Sequence, residues 1–127
     1  MKPSLDSTEI LKKLCGSDNQ LLDVVMFVIM IDPSRQIPQL GGEDAIIKRT
    51  QSFEETSNAL MARINYETLS RISFYRSRQD EAKDYLARCE KLSEGRRREM
   101  YQFILQNFEK VFDVVKRFYG WTGTKVQ

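Results

Sequence analysis

The chain has no histidine among its 127 residues. That absence removes the commonest general base and the commonest zinc ligand together. Cysteine is scarce: Cys15 and Cys89 make neither a disulfide framework nor a metal-binding spacing. They read as small core residues of a chain that folds in a reducing, intracellular compartment, cytoplasmic or nuclear. The opening MKPSLDSTE lacks the basic region and apolar run of a secretory signal. The patterns GxxxxGK[ST], GxGxxG and GxSxG are missing too, so "GSDNQ" and "GGED" are turns and not phosphate cradles. An excess of charge of one sign is lacking as well. The net charge of +2 gives no global attraction to nucleic acid or anionic membrane, and any such affinity must come from a local patch. No catalytic residue, metal or cofactor is expected.

What is present is an ordinary globular composition, 41% hydrophobic and 30% charged, in a length that suits a single domain over residues 1–127. Its patterning is helical. Asp6 with Glu9 three residues on forms an aspartate variant of the capping box, with Leu5 and Ile10 as a hydrophobic staple. A short helix presenting Ile10, Leu11 and Leu14 follows, and Gly16 closes it. Ser17 and Gln20 offer a second box, opening a helix over about 17–32 that Asp32-Pro33 ends.

This second segment is the anomaly. From Leu21 to Ile31, "LLDVVMFVIMI", every residue except Asp23 is apolar. Val24, Val25, Val28, Ile29 and Ile31 also favour β structure, but strands of eleven residues are uncommon and no second strand is there to pair. As a helix the segment rises about 16 Å, half of a hydrocarbon core of about 30 Å, so it is no membrane span. Asp23 lies in the first two turns, where a carboxylate complements the helix dipole. An all-round apolar helix must be covered on all sides, and a small bundle normally leaves each helix an exposed face.

Residues 33–42, "PSRQIPQLGG", read as a loop because of their two prolines and two glycines. Glu43 and Asp44 start a further helical stretch, in which Ile46, Phe53, Leu60 and Ile64 recur at spacings of seven, seven and four. Breaks near Asn65 and Ser77 are candidates, and Ser93-Glu94-Gly95 is a better one. Asp44–Lys48, Glu67–Arg71, Asp84–Arg88 and Asp113–Arg117 are acid-first i,i+4 pairs, the favourable order. The last helix, about 95–119, carries Tyr101, Ile104, Phe108, Val111, Val115 and Phe118 at coiled-coil spacing, widened by Leu105, Phe112, Val114 and Tyr119. Gly120 ends it before a polar tail, 120–127.

The expectation is therefore an all-α bundle of four or five helices, with the 17–32 helix at its centre and the 95–119 helix packed along it. The expected function is a non-catalytic protein–protein interaction or oligomerisation module. It would bury Val24, Phe27, Val28, Ile31, Phe108, Phe112, Val115 and Tyr119 against a second copy or a helical partner, with arginines on the rim. The alternative is a nucleic-acid-binding subunit. Arg71, Tyr75 and Arg78 would share one face of it, and Arg96, Arg97 and Arg98 would crowd a helix N-terminus that disfavours cations.

Overall fold

Aspartate, not serine, opens the apolar segment. In the computed structural model, which describes residues 7–122, Asp18 accepts a 2.9 Å hydrogen bond from the Leu21 amide and caps the helix Asn19–Ile29. The expected Asp6 cap and Leu5 staple lie outside the described residues. Among those residues the chain is all-helical, with eight segments where four or five were expected. They are α1 (Ser7–Cys15), α2 (Asn19–Ile29), α3 (Pro33–Gln39), α4 (Glu43–Glu55), α5 (Ala59–Tyr75), α6 (Gln79–Lys91), α7 (Gly95–Gln106) and α8 (Phe108–Thr122). No helix among them is long and apolar enough to cross a membrane.

The extra segments have local causes. The expected 33–42 loop is mostly the helix α3. Asp32 caps it through the Ser34 amide, and Pro33 sits in the first turn, where a missing N–H does no harm. Gly41, at φ +90°, then turns the chain so that the Gly42 amide reaches the Ile37 carbonyl at 2.9 Å. That bond satisfies one of the otherwise orphaned last carbonyls.

The stretch from 43 to 91 breaks twice by the same device without glycine. Ser57 and Ser77 adopt φ of 59° and 58°, and the amides of Asn58 and Arg78 bond back to the carbonyls of Phe53 and Ser73. These are Schellman closures with serine in the left-handed position that glycine usually fills. The expected 95–119 helix divides at Asn107, and α8 continues through Gly120 to Thr122, so the tail begins later than expected.

The centre of the molecule is α5, not α2. Consecutive helices α4 to α7 pack pairwise; α1, α2 and α8 pack together; α5 touches α2, α3, α4, α6 and α8. Every residue from Asn65 to Phe74 is buried, although six of the ten are polar or charged. The hydroxyls explain how. Thr68, Ser70 and Ser73 donate to the carbonyls of Ile64, Glu67 and Leu69 on their own helix, so their polar atoms are satisfied without water.

By contrast α2 buries one face only. Leu21, Val24, Val25 and Val28 enter the core, while Asp23, Met26 and Met30 stay exposed. Phe108 and Phe112 pack on Phe74 with ring centroids 5.5 and 5.8 Å away, and Tyr119 meets Tyr75 edge-on at 5.7 Å.

Candidate functional site

A groove of about 630 Å³ opens where the C-terminal end of α2 and the following Ile31 face α5, α3 and the start of α7. Its apolar walls are Phe27, Met30, Ile31, Ile64 and Met100. Its polar lining includes Gln36, Glu67, Arg71, Arg96 and Arg97. Among the described residues the exposed large apolar side chains are Met26 on α2, Met30 at its C-cap, and Leu60 and Ile64 on α5. Each pair is spaced i,i+4 and so shares a helix face. Met30 and Ile64 line the groove itself, and Met30 is 67% exposed.

The floor is organised by Glu67, 7% exposed, on the central helix. Its Oε2 takes Arg63 Nη1 at 2.9 Å and Arg97 Nη1 at 3.3 Å, and accepts a short hydrogen bond from the Tyr101 hydroxyl. Arg71 Nη1 lies 3.7 Å from Oε1. Arg71 also donates from Nε to the Phe27 carbonyl at 3.1 Å, and its guanidinium sits 4.4 Å from the centre of the Phe27 ring.

Burial pulls the Arg71 guanidinium below its ordinary value, against the attraction of Glu67. Burial first, and the hydrogen bond to Glu67 second, raise the Tyr101 phenol, which stays a donor. The carboxylate thus gathers three guanidinium groups from two helices, while Arg96 at the rim makes no ion pair among the described residues.

The sequence-derived candidates divide sharply. Val24, Val28, Phe108, Phe112, Val115 and Tyr119 are buried in the chain's own core, so their cover comes from α1, α2, α5 and α8. Phe27 and Ile31 are half-buried and line the groove. The expected Arg71–Tyr75–Arg78 face does not assemble. Arg71 points into the groove and Tyr75 packs on Tyr119. Arg78 pairs with Glu43 at 2.8 Å and Glu81 at 3.5 Å.

The three consecutive arginines separate as well. Arg97 reaches Glu67, Arg98 reaches Glu90 at 3.4 Å, and Arg96 faces the groove. Three of the four i,i+4 pairs form, at 3.7, 3.2 and 3.0 Å for Arg71, Arg88 and Arg117. Sequence reasoning missed Glu67 as an organising group, together with Ile64, Met30, Gln36 and Met100. Arg63, Glu67 and Arg71, a base, an acid and a base at fourfold spacing, were the signal that pointed to it.

Both cysteines are free and buried. Burial, then the nearby Glu67, pushes the Cys89 thiol up to about 12, far from a reactive thiolate. Among the described residues no group of three or more His, Cys, Asp or Glu is placed to hold a metal ion. No family model, curated protein or solved structure matches the chain.

Proposed function

We propose that the chain is a non-catalytic interaction module that receives the apolar face of a helix in the groove between α2, α5 and α7. One observation carries this reading: Met30 and Ile64, both large, apolar and exposed, line the groove beside a rim of arginines. An apolar-walled groove between helices is what receives the apolar face of an amphipathic helix in helix-in-groove recognition. The methionines add side chains soft enough to repack against a guest. Burial of the central apolar contacts would supply most of the affinity, and the charged rim would contribute less.

The experiment is a fluorescence-anisotropy titration with a labelled helical peptide of about 18 residues, roughly 27 Å long. It carries leucines at i, i+3, i+4 and i+7 and glutamines elsewhere. Wild type should bind it saturably, and the exposed-site variant Met30→Glu/Ile64→Glu should lose at least about tenfold in affinity while melting like wild type. A scrambled peptide of the same composition should not bind. Equal binding by the variant, or none by wild type, overturns the reading. Light scattering covers a second copy as the occupant: it would appear as a wild-type dimer that Met30→Glu/Ile64→Glu dissociates.

A further inference from the structure

Resting on the groove reading above, we infer that the natural occupant is an acidic amphipathic helix from a different protein, whose carboxylates meet Arg96 and Arg97 at the rim while its apolar face lies on Met30, Ile64 and Met100. The charge balance of the groove favours an anionic guest. Three guanidinium groups line it against one carboxylate, and that carboxylate, Glu67, is already surrounded by Arg63, Arg71, Arg97 and Tyr101. Among the described residues Arg96 has no counter-charge of its own, yet it sits in the first turn of α7, where the helix dipole disfavours a cation. An incoming carboxylate relieves both conditions. The excess of positive charge continues past Arg97 into an adjoining hollow of about 560 Å³ lined by Arg63, Lys91 and Arg98 with Glu94 as its acid.

Other occupants fit less well. A symmetric pair of this chain joined through the groove would repeat one patch on both sides, bringing Arg96 and Arg97 of both copies into one interface. Single-stranded nucleic acid needs open aromatic faces on which bases stack. The one aromatic ring in the groove, Phe27, already carries the Arg71 guanidinium.

The test extends the neutral peptide to a matched series with glutamate or lysine in place of the glutamines flanking the leucine stripe, each titrated into wild type, Arg96→Gln and Arg96→Gln/Arg97→Gln. The glutamate peptide should bind about three- to tenfold tighter than its glutamine twin, the worth of two or three partly exposed ion pairs. Its advantage should shrink with added salt and vanish in the double variant, and the lysine peptide should bind weakest. Arg96→Gln isolates the rim charge from fold effects, because Arg96 pairs with no group among the described residues.

Equal affinity of the glutamate and glutamine peptides would overturn the acidic occupant while leaving the groove reading intact. Failure of all three peptides would overturn both. A wild-type dimer by light scattering, displaced by the peptides, would identify a second copy as the occupant and overturn the inference. Tighter binding of oligo-dT than of the glutamate peptide would do the same in favour of nucleic acid.

Discussion

Removing the Glu67 carboxylate should destabilise the protein more than any exposed ion-pair deletion. Four groups converge on it, and their environments set the size of the effect. The side chains of Arg63 and Arg71 are 11% and 5% exposed, so both lose their nearest counter-charge in a desolvated setting. Arg97 is 48% exposed and will find water, so it adds little. Tyr101 would be left as a buried donor without its carboxylate. Breaking a buried pair by removing one partner costs about 3–5 kcal/mol, and Glu67→Ala belongs in that range. Glu67→Gln keeps the shape and an acceptor oxygen, so its cost should be about 1–3 kcal/mol.

Urea unfolding followed by circular dichroism measures the loss directly. With an m-value of about 2 kcal/mol per molar, the alanine midpoint should fall by roughly 1.5–2.5 M. Asp113→Ala, which breaks the exposed pair with Arg117, serves as control and should cost under about 0.5 kcal/mol. A Glu67→Ala loss below about 1 kcal/mol, or one equal to the control, would refute the view that this carboxylate organises the groove floor.

Three further outcomes are expected. Ser57→Gly and Ser77→Gly should each stabilise by about 0.5–1 kcal/mol, because serine sits in the left-handed region at both positions; a loss in either would show that the closures are not strained. Tyr119→Phe should be neutral or raise stability by about 1 kcal/mol, since the buried Tyr119 hydroxyl has no hydrogen-bond partner among the described residues; a drop of similar size in a thermal melt would reveal a partner. Cys89 is held up at about 12 against an ordinary 9.0, chiefly by burial. Its contribution to stability is therefore complete below pH 9 and is lost as pH rises towards 12, at up to about 1.4 kcal/mol per pH unit. Cys89→Ala should flatten that alkaline slope, and an unchanged slope between pH 9 and 12 would contradict the assignment.

The helical character of the chain was legible from periodicity, and so were most starts and stops that glycine, proline or aspartate marks. Two features were not. The break at Ser57 uses serine where the recognisable signal is glycine and left no mark in the residues, whereas the candidate break near Ser77 forms and the one near Asn65 falls inside α5. The deeper difficulty was α5. Asn65, Thr68, Ser70 and Ser73 look like solvent-facing residues, yet side-chain bonds to preceding carbonyls of the helix let all four be buried. With that polar helix at the centre, α2 moves to the flank. It needs cover on one face only, which the chain supplies through α1, α5 and α8. Composition overstated how much apolar surface α2 leaves outside; what stays exposed is Met26 and Met30. The groove was illegible for a related reason, because its walls come from segments more than sixty residues apart in sequence, from Phe27 to Met100.

The most direct test is amide chemical-shift mapping by NMR during titration of the uniformly labelled protein with the glutamate-flanked peptide. The docking reading predicts shifts concentrated at residues 27–36, 60–71 and 96–100, saturating at one equivalent. Shifts gathered instead on the outer faces of α6 or α8, or an unchanged spectrum at several equivalents of peptide, would contradict it.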